Sequence, residues 1–532
     1  MGVGTLTGSL FLVASILALP GYGQSEKNRL IIRFKEGITT FGTDTIHESL
    51  GMKSHKRLSR LGPMEVVEIP KNISSKNAKK LYSQNPNVLY VEEDFHIRID
   101  PIETDAVKPT NPYAQQWALN NIGQKVGKLT GKKDADMNGP ETWELTKGDK
   151  EVVLGLIDTG IFYTHPDLAP NVWENPSEIA GNGIDDDGNG FVDDIHGINT
   201  VAHTGDPLDD NGHGTHVSGI MGGANVDGKG VFGINQKVSI ATCKFLDSEG
   251  GGRMSDALAC MDYFAKLKTR ARNPVNLVAI NASWGGGGSS QAMQDAIKAL
   301  GDAGILFVAA AGNDGEDNDQ VDSFPANYLL SNIISVAATN NQDELAWFSN
   351  FGRRSVHVSA PGMDIMSTYL NNEYKIFSGT SMAAPYVTGL IGLLKAKDSS
   401  LNPNQLRNLV ISGVTHLDVL STKTLSGRRS RGVDQDGRGS LTCRNQTTLT
   451  RVLPKDTKVS AKVGEIVEFS VLKIKCGEAD GAPMMAISMG STVDFADVDN
   501  RGLYSAKWTA AAEGSYDFDL GDGEKVTVAV TQ

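Results

Sequence analysis

Cysteine is scarce in this chain, with four residues among 532. That excludes a small scaffold held by cross-links, and a chain of this length can bury its own core in two or three domains. Cys443 and Cys476 lie toward the C-terminus, where a bridge suits an exported protein. Cys243 and Cys260 sit in apolar segments, so buried free thiols and a bridge both stay open for them. Long apolar runs are also missing. Only Leu10 to Leu19 approaches one, and it is too short for a comfortable membrane span. Followed by small residues before Gln24, it reads as a signal peptide over residues 1–23, although no Lys or Arg precedes it. An exported or cell-surface protein with no stable membrane span is expected. Positive charge is the minority, with 50 Lys and Arg against 63 Asp and Glu, which argues against nucleic acid as the main partner. Between Glu174 and Gly212 it is absent, while ten Asp or Glu crowd the stretch. Such a segment is either a solvated loop or a cation site.

What is present divides the chain. From Arg29 to about Ile99, "RLIIRFKEG", "EVVEIP" and "VLYVEED" read as strands and "SSKNAKKLYSQNP" as a helix, a small α+β unit. "DPIETDAVKPTNP" reads as a linker. From about Tyr113 to Gln435, apolar strands such as "VVLGLID", "VSIATCKFL", "VNLVAINAS", "ILFVAAAGN" and "IISVAAT" alternate with helical segments. That pattern predicts an α/β fold, a parallel sheet with helices on both faces. Ligands then bind beyond the carboxyl ends of the strands, where Asp158, Ser283 and Asn313 fall. From about 440 to 532 only strand signals remain, which predicts a β-sandwich. The expected boundaries are 1–23, 24–110, 111–436 and 440–532.

Three short motifs carry chemistry. "VVLGLIDTGI" puts Asp158 at the end of a buried strand, where a carboxylate needs a partner. "NGHGTHVSGI" puts His213 at a helix start between two glycines. "SGTSMAAP" puts Ser381 at another helix start, ahead of residues too small to cover it. Each alone has a plain structural reading: a turn, a weak His213/His216 pair, a helix cap. All three in this order are harder to explain that way.

In these motifs the chain resembles the subtilisin-like serine proteases, over about Tyr113 to Gln435, and the order Asp, His, Ser is that family's. The resemblance implies that Ser381 is the nucleophile, His213 its base, Asp158 the group that orients the imidazole, and Asn313, in "AAAGND", an oxyanion donor with the Ser381 N–H. "NASWGGGG" resembles the segment that pairs with an extended substrate, Ser283, Trp284, Gly285 and Gly286 forming its core, with Gly312 beside it. Main-chain pairing makes little demand on sequence. Trp284 and Asp314 would line the cleft, and Asp314 would suit a basic residue before the cut. Residues 29 to 99, above all "NPNVLYVEED", resemble the family's inhibitor propeptide, so a zymogen is implied whose own prodomain blocks the cleft until it is cut away between about Asp100 and Tyr113. Protein or peptide substrates and a monomer are expected.

The acidic stretch then gains a reading. Asp185-x-Asp187-x-Asn189-Gly190 is the first half of an EF-hand-like calcium loop, with Phe191 at its carbonyl position. His196 stands where the closing glutamate belongs, and Asp194 would close the site instead. Structural calcium is expected there. A second family calcium site implies Asp167, with the loop near Asn225 to Gly230.

Overall fold

The computed structural model describes residues 29–99, 101–107, 115–286, 288–412, 414–433 and 436–443, together with strands between 449 and 531. Residues 1–23, read as a signal peptide, and Cys476 lie outside the described residues.

The first unit is a four-stranded antiparallel sheet under two helices. Its elements are β1 (Arg29–Phe34), α1 (Thr40–Ser49), β2 (Lys53–Arg57), β3 (Met64–Glu68), α2 (Ser75–Ser83) and β4 (Val88–Glu93), in sheet order β2-β3-β1-β4. α2 begins at Ser74, whose hydroxyl accepts from the Asn77 N–H, as a cap should. α1 and β2 escaped the sequence reading: "TFGTDTIHES" has little apolar periodicity, and "KSHKR" is polar on both faces. Alternation along β1 serves two cores. Leu30, Ile32 and Phe34 pack under the unit's own helices, while Ile31, with Met64 and Val66 of β3, faces the larger domain.

Two strands then lead across that domain, β5 (His96–Arg98) and β6 (Ile102–Val107). Beyond a short hairpin, β7 (Lys125–Val126) and β8 (Leu129–Thr130), and α3 (Gly139–Leu145), the parallel sheet begins. Its strands are β9 (Gly148–Asp158), β10 (Gly197–Asn199), β11 (Lys237–Lys244), β13 (Leu277–Ala282), β14 (Leu306–Ala310), β15 (Ile333–Thr339), β16 (Val358–Pro361), β19 (Val414–His416) and β20 (Arg428–Ser430). Their order is β10-β11-β9-β13-β14-β15-β16-β20-β19, parallel throughout except for the β19–β20 edge pair. Three short strands stand outside it: β12 (Gly251–Arg253), β17 (Ile365–Thr368) and β18 (Tyr374–Ser378).

Helices cover both faces, as the continuous apolar strands require. α4 (His213–Gly222) and α7 (Thr380–Lys397) pack together on one face; α5 (Met254–Thr269) and α6 (Gln291–Asp302) cover the other, and α8 (Pro403–Ser412) follows α7. Cys243 of β11 and Cys260 of α5 form a disulfide, Cα to Cα 5.6 Å, which settles that pair against free thiols. The C-terminal strands form two five-stranded sheets. Among the described residues no helix is long and apolar enough to cross a membrane.

Candidate active site

The sheet delivers the three motif residues to one end. Asp158 is the last residue of β9, His213 the first of α4, and Ser381 the second of α7. All three are buried. Gly212 precedes α4 at φ 107°, and a Cβ there would meet the Tyr369 ring at 2.1 Å, so glycine is required on both counts. A Cβ on Gly214 would lie 2.2 Å from the Gly160 carbonyl and 3.2 Å from Asp158 Cβ, so its absence lets the helix start close onto the aspartate.

His213 Nδ1 lies 2.7 Å from Asp158 Oδ1, which also accepts the Thr159 N–H at 2.7 Å. His213 Nε2 is buried with no hydrogen-bond partner among the described residues. An imidazole held at one nitrogen with the other unengaged is arranged to exchange a proton there. The helices that carry His213 and Ser381 pack on each other. Ser381 Oγ donates to the Ser283 carbonyl at 3.2 Å, and Ser283 Oγ to the Ser381 carbonyl at 2.8 Å. The two serines thus hold each other through reciprocal hydroxyl-to-carbonyl bonds across the end of the sheet.

Asn313 follows β14 and joins this group. Its Oδ1 accepts from the Thr380 N–H at 2.8 Å and the Thr380 hydroxyl at 2.9 Å, which fixes the orientation of the amide. Gly312, at φ 113°, donates to the same hydroxyl at 3.1 Å. Asn313, Gly312, Asp314, Trp284, Gly285, Gly286 and Ser381 all border one cavity of about 520 Å³. Trp284 is otherwise buried, its indole N–H donating to the Ile157 carbonyl.

The first unit reaches this cavity. β5 pairs antiparallel with β12, and Arg98 forms a bridge with Gly285 on its other side. β6 pairs antiparallel with β18, Ile102 opposite Ser378. The chain therefore runs up to the serine between two strands and leaves it along a third. Carboxylates anchor the approach. Glu92 accepts from the Ser290 hydroxyl at 2.6 Å and the Gln291 N–H at 2.7 Å at the start of α6, and Asp94 from the Ser255 N–H and hydroxyl at the start of α5. Free N–H groups at helix starts favour negative charge. The sequence reading missed these anchors; the acids Glu92 and Asp94 in "VEEDF" were the available signal.

In the acidic loop the carboxylate oxygens of Glu178, Asp187 and Asp194 all lie within 4.8 Å of one another. Asp185 is not among them: its carboxylate accepts from the Asn189 and Gly190 N–H groups. Asn189 donates to Asp194 at 3.1 Å, and Phe191 N–H to Asn189. Burial, with the charges of Asp187 and Glu178, pushes the Asp194 carboxyl up to about 7, against hydrogen bonds from Tyr263 and Asn189. Arg270 Nη1 pairs with Asp187 at 3.0 Å. Hard oxygen donors this crowded fit a divalent cation such as calcium. Glu178 lies seven residues before the motif, beyond the reach of its spacing. At the second expected position, Asp167 Oδ2 accepts from the Val231 N–H and the Tyr374 hydroxyl, both at 2.8 Å.

A model described as the subtilase family, peptidase S8, matches residues 149–434, and one described as the fervidolysin N-terminal prodomain matches residues 16–94. Subtilisin-like protease 1 of Plasmodium berghei (strain Anka) is 34% identical over 372 residues, covering 66% of this chain and 59% of its own length. The thermophilic serine proteinase of Bacillus sp. (strain AK1) is 30% identical over 384 residues, covering 70% and 79%. Alkaline serine exoprotease A of Vibrio alginolyticus is 27% identical over 545 residues, covering 99% and 88%. The chain spans between 40% and 59% of the length of the Plasmodium relatives. With its motif residues gathered at one end of a parallel sheet and a family model matched across that sheet, the chain belongs to the subtilase family and carries a prodomain ahead of it.

Proposed function

We propose that this subtilase is an exported serine endopeptidase, made as a zymogen, that cuts peptide bonds through Ser381. The observation that carries the reading is the buried 2.7 Å contact between His213 and Asp158, with His213 Nε2 left open. His213 takes the Ser381 proton as the hydroxyl attacks the carbonyl carbon. Asp158 holds the imidazole in the tautomer that accepts at Nε2 and stabilises its cation. The Asn313 amide and the Ser381 N–H stabilise the oxyanion, a term of about 3 kcal/mol for one donor. The imidazolium returns its proton to the leaving amine. The acyl-enzyme is then hydrolysed by a water that His213 activates in the same way.

The extended substrate adds a strand between β12 and Ser283–Gly286, as β5 does in the zymogen. The prodomain is thereby its own competitive inhibitor. Because β5 ends on one side of Ser381 and β6 starts on the other, the first processing cut falls between Ile99 and Ile102. Glu178, Asp187 and Asp194 would hold calcium, which supplies structural neutralisation of the loop.

Labelling with a fluorophosphonate tests the reading. A stoichiometric adduct on Ser381 with loss of peptide hydrolysis is expected. No adduct on the processed protein, with hydrolysis unchanged in Ser381→Ala, overturns it. N-terminal sequencing of the processed chain locates the cut.

A further inference from the structure

Past the carboxyl ends of β9 and β11 the backbone runs out of sheet partners, and a buried lysine takes up its carbonyls. Lys244 is the last residue of β11 and stands in register with Asp158 on β9. Its side chain is buried. An ammonium has three donors and is costly to bury unless each finds an acceptor. Here Nζ donates to the Thr159 carbonyl at 2.8 Å, the Leu246 carbonyl at 2.7 Å and Asp210 Oδ1 at 2.6 Å.

These contacts flank the His213–Asp158 pair. Thr159 uses all of its polar groups there: its N–H goes to Asp158 Oδ1, its hydroxyl accepts the Gly214 N–H at 2.9 Å, and its carbonyl takes the ammonium. Asp210 lies three residues before His213. Its neighbour Asp209 is buried and caps the start of α4, accepting the Asn211, Gly212 and Thr215 N–H groups. Asp210 is exposed and meets Lys244 instead. The stretch from Glu174 to Gly212 has no Lys or Arg of its own, so for Asp210 the cation comes from β11.

Resting on the peptidase reading, we infer that Lys244 is a positioning residue for that reaction, joining the strand end that carries Asp158 to the loop that carries His213. It acts through those two residues. The carboxylate and the imidazole sit on separate elements, and their 2.7 Å contact depends on how those elements are held together. A displacement of about 1 Å in such a pair costs about 100-fold in rate. Asp210 is the outer half of the link. Its loss leaves a buried ammonium with one donor unpaired, a larger penalty than losing a neutral hydrogen bond.

The test uses the self-processed full chain, with active sites counted by fluorophosphonate uptake at completion, so that kcat is read per competent site. Lys244→Met keeps the stem and removes the charge. Its kcat is expected to fall about 100-fold with KM held within about twofold, and the labelling rate should fall in parallel. Asp210→Ala should lose about tenfold in kcat, and Asp210→Asn, which keeps an oxygen acceptor, should recover to within about threefold of the unaltered protein. A second readout does not depend on activity. In the Ser381→Ala chain the His213 Nδ1 proton, moved downfield by its bond to Asp158, should shift or broaden in NMR spectra when Lys244→Met or Asp210→Ala is added, and return with Asp210→Asn. A lower Tm with per-site kcat and that resonance unchanged overturns the inference, because it leaves Lys244 a role in stability alone. A raised KM at constant kcat overturns it too. If Lys244→Met does not fold, the variants at exposed Asp210 decide, and for a variant that does not process itself the resonance decides. Variants that label and cut like the unaltered protein defeat the positioning role alone. An unaltered protein that neither labels nor cuts defeats the peptidase reading, and with it a role for Lys244 in that reaction.

Discussion

His213 Nδ1 meets Asp158 Oδ1 at 2.7 Å inside the protein, and the nitrogen on the far side of the ring has no hydrogen-bond partner among the described residues. The buried carboxylate therefore dictates which nitrogen carries the proton. Asp158→Asn keeps the volume and replaces an acceptor by an amide that can donate, which favours the wrong tautomer. Turnover is expected to fall about 10,000-fold, with the rate of fluorophosphonate labelling falling in parallel. A loss below about tenfold would show that Asp158 does not orient the ring.

The prodomain is held by charge placed at helix starts. Glu92 caps α6 and Asp94 caps α5. Replacing a helix-start anion by its amide costs about 1 kcal/mol at each site. In Glu92→Gln/Asp94→Asn the processed prodomain should dissociate about 30-fold more readily. Active enzyme measured on serial dilution after processing reports this directly. Unchanged dilution behaviour would assign the hold to the apolar contacts of Ile31, Met64 and Val66 instead.

Residues joined by short spacing were legible before the structure. Asp158 ends a run of apolar residues, His213 follows Gly212, Ser381 stands two residues after Gly379, and each sits at the strand or helix end expected of it. Partners far apart in sequence were not. Asn350 sets Asp314 from 36 residues away, and Glu178 joins Asp187 and Asp194 from outside their motif. Cys243 and Cys260 looked like apolar core residues, because only the packing of α5 on β11 brings them together. β2 was invisible for another reason: an edge strand of polar residues is chosen by backbone pairing with β3, which leaves no hydrophobic pattern to read.

Calcium should be worth stability in proportion to how crowded the carboxylates are without it. Burial and the neighbouring charges push Asp194 up to about 7, and a bound divalent cation offsets that repulsion. At 100-fold excess over its Kd the ion adds about 2.7 kcal/mol. Chelation is therefore expected to lower Tm by about 3–4 °C, and added calcium to restore it. Glu178→Gln/Asp194→Asn should start at a Tm that calcium no longer raises. A Tm indifferent to chelator in the unaltered protein would make the stretch a solvated loop. Scanning calorimetry of the inactive Ser381→Ala chain avoids self-digestion during the measurement.

Glu65 ties the prodomain core to pH. Its carboxylate is buried on β3, 3.2 Å from His47 Nε2 and 2.5 Å from the Ser54 hydroxyl, while His47 Nδ1 meets the Tyr82 hydroxyl at 2.7 Å. Burial alone would push this carboxyl up. Hydrogen bonds from His47, Ser54 and Thr43 and the charge of Arg57 outweigh it and hold the group at about 2, below its ordinary 4.5. A carboxyl depressed in the folded state contributes stability that is complete above the unfolded value. That contribution is lost as pH falls from about 4.5 toward about 2. In the Ser381→Ala chain, hydrogen exchange of β1 and β4 amides should show protection declining across that window. Glu65→Gln removes charge-assisted bonds worth about 2 kcal/mol, so protection should drop at neutral pH and its dependence on acid should flatten. If the glutamine variant keeps the same slope, Glu65 is not the source of the acid response.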